Sequence, residues 1–500
     1  MKKFYLFLIL TILTFSISNA QNPKREFRGA WLHVIGQSQW MNKTTDQQKK
    51  YITDQLDLLQ NAGCNAVIFQ VRPTADALYI SELEPWSSWL TGKRGKAPSP
   101  LWDPMEFTIE ESHKRGMEFH AWLNPYRVTS NARETLPQNH LLNKEPHRFI
   151  KFNGQTFFDP AYPENRDHIC EVVKDIVTRY DIDGIHIDDY FYPYPANGKK
   201  FENDDASFRK FGNGMERNAW RRHNVDMLIE QLCTTIKEQK DWVRFGVSPF
   251  GIWRNKKNDP RGSESSGLQN YDDLYADVLL WAKKGWIDYL APQLYWTLDM
   301  KAAPSRHLAQ WWNDNANGVD VYIGQDVQRT MTNADPGNND TNELDTKIKL
   351  SRRLPNVKGN IWWHGYWVTE NLKGVADSLA LKYQSTIALP PAYGNPGDKP
   401  QKVKNLKLVK DKGQIFLTWD KTSKSDHPHS SDAIRYVVYQ FFPDEEIDID
   451  DAQTIIALTP FNAVLVEDTS AGPSAQGSTF IVTALDRLNR ESEPVIIKWK

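Results

Sequence analysis

The sequence predicts a (β/α)8 TIM-type barrel, class α/β, followed by a small all-β sandwich. Three observations lead there. Short apolar strands alternate with helix-patterned segments eight times; polar side chains gather at one end of those strands; and the tail carries short alternating strands with no helices. The glycine-rich phosphate fingerprints of an open nucleotide-binding sheet are absent.

Taken in order, Phe27–Val34 reads as the first strand and Asp46–Asn61 as the first helix, stopped by Gly63. Asn65–Arg72 is the second strand, followed by a long loop and the helix Met105–Arg115. Glu118–Pro125 is the third, and its helix Pro163–Tyr180 carries proline where helix entry favours it. The stretch from Asp181 is the fourth strand, with Ala219–Gln239 as its helix. Arg244–Ile252, Tyr289–Trp296, Asp320–Val327 and Gly359–Trp367 complete the eight. Their helices are Leu274–Lys284, Ser305–Asn315, Glu343–Arg353 and Leu372–Gln384.

The fourth strand is the centre of interest. In DIDGIHIDDYFYPYP, Ile185 and Ile187 share a buried face, while His186, Asp188 and Tyr190 share the other. Asp188 and Asp189 stand where the strand opens into an aromatic, proline-rich loop, the end of a β/α barrel that houses catalysis. Strand-end aspartates most often cap loops or helices, but a face enclosed by neighbouring strands does not solvate its polar groups. Other strands add to the same rim: Gln70 and Arg72, Trp122 and Asn124 after His120, Ser248, Gln293 with Tyr295, Gln325 and His364. Converging hydrogen-bonding groups make a site for a polar ligand. The following loops bring Asp76, Glu82, Glu84, Trp86 and Trp89, then Tyr126 and Arg127, then Trp296. Aromatic rings mixed with such polar groups suit a carbohydrate, whose apolar faces stack and whose hydroxyls bond.

Composition agrees. The 61 basic and 63 acidic residues nearly cancel, which leaves no footprint for nucleic acid or an anionic membrane. The 19 tryptophans exceed what a core needs and provide stacking platforms. Cys64, Cys170 and Cys233 sit in apolar contexts, odd in number, and read as buried free thiols; their spacing matches no zinc site. No metal or cofactor is expected. Lys2 and Lys3 precede an apolar run from Phe4 to Ile17 that ends in Ser18-Asn19-Ala20, the pattern of a secretory signal peptide cleaved after Ala20. No later stretch is apolar enough to span a bilayer. The mature protein is expected in the periplasm or outside the cell.

The segments FRGAWLHV, TADALYISELEPWSSWLTGKRGKAPSPLWDP, HAWLNPYRV, FFDPAYPENRD, DGIHIDDYFYPYP, WRRHNVDMLI, GVSPFGIWRN, GLQNYDDLYADVLLWAKKGWIDYLAPQLYW and WWHGYW, in this order, resemble the glycosyl-hydrolase-like family 10. The likeness covers residues 25–384. It implies a (β/α)8 barrel and extracytoplasmic glycan hydrolysis, with peptide-free peptidoglycan glycan as one substrate. It places Asp188 and Asp189 at the family's acidic positions. DGIHIDDY is also similar to the DGxDxDxE signature of chitinase-type barrels, matching at Asp183 and Asp188. His186 replaces the middle aspartate and Tyr190 the catalytic glutamate, so the chitinase acid is missing and substrate-assisted hydrolysis of the chitinase type is not carried over. Residues 385–402, rich in proline and glycine, read as a linker. Residues 403–500 resemble a fibronectin type III sandwich, with strands Val403–Val409, Gln414–Trp419, Arg435–Phe441, Ala463–Glu467, Thr479–Leu485 and Val495–Trp499.

The leading expectation is a secreted or periplasmic glycoside hydrolase acting on a polysaccharide. Asp188 and Asp189 are the catalytic candidates. Gln70, Arg72, Asp76, Trp122, Asn124, Tyr126, Arg127, His186, Tyr190, Gln293, Tyr295, Trp296, Gln325, Trp362 and His364 are the substrate-binding ones. Such chemistry needs a second carboxylate. Adjacent strand residues diverge, so Asp76, Glu82, Glu84 and Asp326 compete with Asp189, and the loop acids Glu82 and Glu84 are favoured. A carboxylate gap of about 5 to 5.5 Å implies retention, and one of roughly 6.5 to 9.5 Å inversion. The alternatives are a non-catalytic glycan-binding barrel and a metal-dependent hydrolase using His120, His186, Asp188 and His364.

Overall fold

The computed structural model describes residues 22–499 apart from 42, 395–398, 423–427 and 469–474, so the signal-peptide stretch lies outside the described residues. Eight parallel strands close into a barrel: β1 (Phe27–Leu32), β2 (Ala66–Arg72), β3 (Glu118–Leu123), β4 (Gly184–Ile187), β5 (Arg244–Val247), β6 (Tyr289–Leu290), β7 (Asp320–Asp326) and β8 (Val357–Trp363). Each strand pairs with its neighbours in sequence, and β8 returns to β1 with Phe27 opposite Gly359.

Two layers of core follow from the period-2 alternation of the strands. Phe27, Trp31, Ala66, Ile68, Trp122, Tyr289, Tyr322 and Ile361 fill the barrel interior as a cluster of their own. The opposite faces, with Val67, Phe69, Phe119, Ile185 and Phe245, join the helices in the main core. Two glycines make the interior packing possible. A Cβ at Gly246 would lie 1.9 Å from the Tyr289 ring, and one at Gly184 would lie 2.5 Å from the His120 imidazole. Those rings therefore lie over the adjacent strands only because the paired positions there carry no side chain.

Helices begin where the sequence supplies oxygen acceptors. Thr44 and Gln47 cap Thr45–Asn61 reciprocally, and Asp103 accepts from the amides of Met105 and Glu106 at the start of Pro104–Lys114. Several expected elements are shorter. Strand β6 has two residues rather than eight, because Pro292 has no amide to continue the ladder. The expected last helix, Leu372–Gln384, divides into the short turns Leu372–Gly374, Val375–Ser378 and Leu379–Tyr383. After β3 the chain makes a hairpin, Phe149–Phe152 with Gln155–Phe158, not among the predicted elements. Cys64 and Cys170 are buried thiols, but Cys233 is only half-buried. Among the described residues no helix is long and apolar enough to cross a membrane.

The C-terminal part forms two antiparallel sheets: β9 (Lys404–Asp411), β10 (Gln414–Asp420) and β13 (Ala463–Asp468) in one; β11 (Ala433–Phe441), β12 (Ile455–Thr459), β14 (Thr479–Asp486) and β15 (Val495–Lys498) in the other. Leu417 and Trp419 of the first pack against Tyr436, Val438, Phe480 and Val482 of the second. This unit sits against the end of the barrel where the strands begin. Arg435 donates to the carbonyl of Gly116, Asn489 donates to Glu118, Arg487 pairs with Asp181, and Glu491 pairs with both Lys24 and Arg25. The segment after the barrel is tied down as well, since the amides of Glu26 and Leu389 bond the carbonyls of Leu389 and Lys24.

Candidate active site

At the other end of the barrel a cavity of about 300 Å³ is lined by Trp31, Trp122, His186, Asp188, Asp189, Tyr190, Tyr194, Ser248, Phe250, Gln293, Tyr295 and Trp363. Its walls are aromatic. The Trp363 ring meets Trp31 and Trp122 edge-on, with centroids 6.3 and 6.1 Å away, and lies nearly parallel to Tyr295 at 6.1 Å. Among the described residues, its only carboxylates come from consecutive positions, Asp188 and Asp189. Strand β4 ends at Ile187, so the strict alternation that would send Asp188 and Asp189 to opposite faces no longer applies, and both reach the cavity.

Asp188 is held from several sides. Trp122 Nε1 donates to Oδ2 at 3.1 Å, and Asn124 Nδ2 lies 3.0 and 3.2 Å from the two oxygens. Asn124 is itself oriented, because its Oδ1 accepts from the amide of Arg127 at 2.8 Å. Burial raises the Asp188 carboxyl above its ordinary range, opposed by the Arg127 charge and these hydrogen bonds. Asp189 accepts from the Tyr194 hydroxyl. Burial and the neighbouring Asp188 charge push its carboxyl up to about 7, so near neutrality it retains a proton that an ordinary aspartate would have lost. Two carboxylates with unequal surroundings are what acid–base division of labour requires.

Of the expected site residues, Asp188, Asp189, Trp122, His186, Tyr190, Gln293 and Tyr295 meet in the cavity, and Asn124 and Arg127 brace it. The others have different partners. Arg72 forms a buried two-pronged ion pair with Glu84, at 2.7 and 2.6 Å, and donates to the carbonyls of Asn124 and Pro125. Gln70 accepts from the Val34 amide at 3.0 Å. Asp76 accepts from Thr74 and lies 3.4 Å from Arg94 Nε. Tyr126 is in the outer core, Trp296 packs on Phe250, and His364 lies against Trp367. Gln325 and Trp362 both point out of the barrel: Gln325 donates to Asn360, and Trp362 joins the helix-side core. The inward residues of those strands are Gly324 and Trp363, whose parity with Tyr322 and Ile361 was the available signal. Trp31, Tyr194, Phe250 and Trp363 were not anticipated as lining.

The competing second carboxylates fall away for the same kind of reason. Glu84 is bound to Arg72 and to His168 at 3.0 Å; these outweigh its burial and hold it at about 2. Glu82 lies on the exposed part of the long loop, and Asp326 caps the helix Val327–Thr332 through the Arg329 amide. Neither loop acid lines the cavity, which holds Asp188 and Asp189. His120 and His186 share the hydroxyl of Tyr289, and among the described residues no cluster of three or more His, Cys, Asp or Glu is arranged to hold a metal ion.

A closed parallel barrel with an aromatic, acid-bearing cavity at the carboxyl ends of its strands is the architecture of a glycan-acting hydrolase. The chain belongs to the Glycosyl hydrolase-like 10 family, whose model matches residues 26–340. It is 38% identical over 502 residues to the glycosyl hydrolase YngK of Bacillus subtilis, covering 97% of this chain and 96% of that one. It is 37% identical over 372 residues to the glycosyl hydrolase DigH of Escherichia coli K12, covering 69% and 84%. Among solved structures it is similar to the catalytic domain of a β-amylase from Paenibacillus polymyxa, with a TM-score of 0.47 and 10% identity over 72% of this chain and 98% of that one. It is likewise similar to the PgaB glycoside hydrolase domain from Bordetella bronchiseptica, with a TM-score of 0.46 and 11% identity over 72% and 99%.

Proposed function

We propose that the protein is a glycoside hydrolase for glycans of 2-acetamido sugars, with peptide-free peptidoglycan glycan as one candidate substrate. The observation that carries this is the adjacency of Asp188 and Asp189 in a cavity that, among the described residues, no other carboxylate lines. Two neighbouring acids approach a sugar from one side, whereas a covalent or water-inverting route needs carboxylates flanking the bond. A 2-acetamido group removes that need, because its own carbonyl oxygen attacks C1 from the other side. In this route Asp189 gives its proton to the leaving glycosidic oxygen as the C1–O bond breaks. Asp188 accepts the acetamido N–H and steadies the positive charge of the cyclic intermediate. Water then adds to C1, Asp189 takes the water's proton back, and the acetamide is restored with the original configuration. The edge-on tryptophans Trp31, Trp122 and Trp363 supply an apolar seat for the acetyl methyl.

Purified protein incubated with chitin oligosaccharides, peptide-free peptidoglycan strands and 2-hydroxy glycans such as cellulose and mannan tests the reading. Cleavage confined to the acetamido glycans, with a product that retains configuration by NMR, is the expected result. Hydrolysis of the 2-hydroxy glycans, or inversion, would sink acetamide participation; saturable binding without new reducing ends would make the barrel a glycan-binding protein. We also read the N-terminal stretch as a secretory signal and the C-terminal sheets as fibronectin type III-like, since three strands face four and each sheet is antiparallel. Fractionation of cells expressing the full chain tests the first: recovery of unprocessed protein in the cytoplasm would overturn it.

A further inference from the structure

We propose that Tyr289, His120 and Glu118 are positioning residues for the cavity, and that Asn489 of the C-terminal sheets completes their support from the far end of the barrel. A continuous hydrogen-bonded file runs down the barrel interior. Trp31 Nε1 lies 3.1 Å from His186 Nε2, His186 Nδ1 lies 2.9 Å from the Tyr289 hydroxyl, and that hydroxyl lies 2.8 Å from His120 Nδ1. His120 Nε2 is 3.1 Å from Glu118 Oε2, and Asn489 Nδ2 is 2.7 Å from Glu118 Oε1.

The donors fix the direction of every bond. An indole N–H only donates, so His186 Nε2 accepts and the His186 proton sits on Nδ1. That proton goes to the Tyr289 oxygen, which leaves the Tyr289 hydroxyl hydrogen for His120 Nδ1. The His120 proton is then on Nε2, facing Glu118, and the amide of Asn489 occupies the remaining carboxylate oxygen. Burial keeps His186 well below the usual imidazole range, in accord with one proton on its ring. Every member is buried. Reversing one link would leave two hydrogens or two lone pairs facing each other in a medium that penalises both. Two members, Trp31 and His186, are cavity wall, so the file fixes the ring face and the tautomer that a ligand meets.

The file also needs space and an anchor. Gly246 and Gly184 leave the room for Tyr289 and His120, and Asn489 is itself set by Arg435, whose guanidinium donates to Asn489 Oδ1 at 2.6 Å. Asn489 adopts φ +58°, a backbone that glycine accepts, so Asn489→Gly removes the amide without straining the turn.

Imidazole nitrogen NMR on the full chain reads the tautomers directly. The wild type is expected to show His186 with its proton on Nδ1 and His120 with a proton on Nε2 toward Glu118, each as a single sharp set of signals. Tyr289→Phe, which keeps the ring, is expected to move the signals of both; Asn489→Gly is expected to move those of His120. If Tyr289→Phe alone has an effect, the contribution of the C-terminal sheets is overturned. If neither variant moves the signals and only Tm falls, the whole file is packing and the positioning role is overturned. Should Tyr289→Phe fail to fold, Asn489→Gly still decides whether the file extends to the far end.

Discussion

Single residues carry the chemistry, and here one charge is poised against the fold. The Asp189 carboxyl is lifted from 3.8 to about 7 by burial and by Asp188. Between those values the folded chain keeps a proton that the unfolded chain releases. Stability attributable to this group is therefore complete below the lower value and lost as pH rises to the upper one. Asp189→Asn, which still accepts from Tyr194, is expected to stabilise the protein at pH 8 by about 1–3 kcal/mol and much less at pH 4. Urea melts at the two pH values measure it; an equal gain at both would show that Asp189 is ordinarily ionised. The same variant is expected to lower kcat by about 10²–10⁴, the usual worth of a positioned acid. Wild-type kcat/KM should fall as pH rises through about 7, where the proton to be donated is lost. Arg72 and Glu84 behave oppositely. Glu84→Leu leaves a buried guanidinium with carbonyl partners alone and is expected to cost about 3–5 kcal/mol, read as a drop in the denaturant midpoint. From sequence, Arg72 looked like a ligand contact because a charged residue at a strand end points to function; its partner lies 12 residues away on a loop whose path only the fold reveals.

At the level of elements, most strands and helices were legible because their apolar period is strong, and the misreadings have a common origin. Within a strand a one-residue shift of phase exchanges the two faces. Reading Gln325 and Trp362 as inward, instead of Gly324 and Trp363, is that shift, and small residues such as Gly324 and Gly359 gave no apolar marker of phase. The hairpin Phe149–Phe158 did carry its own signal. Asn153-Gly154, both at positive φ between two alternating runs, is the strongest two-residue hairpin turn. Tyr194 and Phe250 lie beyond strand ends, where no periodicity applies, so only the closed fold shows them lining the cavity with Asp189. Gly246 has a role that alternation does predict, as an inward position opposite a large ring. Gly246→Ala would drive a methyl into Tyr289 at 1.9 Å and is expected to cost about 3 kcal/mol or more, visible as a lowered Tm. A variant as stable as wild type would mean that the Tyr289 ring can move aside freely.

For the whole molecule, the union of barrel and C-terminal sheets decides how it unfolds. Buried polar groups are shared across the junction: Glu118 with Asn489, and the Gly116 carbonyl with Arg435. Separating the two parts would strand those groups, so calorimetry is expected to show one cooperative transition. Two resolved transitions would indicate independent parts. The proline and glycine content of residues 385–402 predicts a linker but says nothing about the Lys24 carbonyl that pins Leu389. The junction has a further consequence in terms of orientation. Lys24 and Arg25 at one end of the described chain and Glu491 near the other meet at the pole where the strands begin. The cavity opens at the opposite pole. A bead, a scaffold or a fused partner tethered at that pole therefore leaves the mouth of the cavity facing away from the attachment.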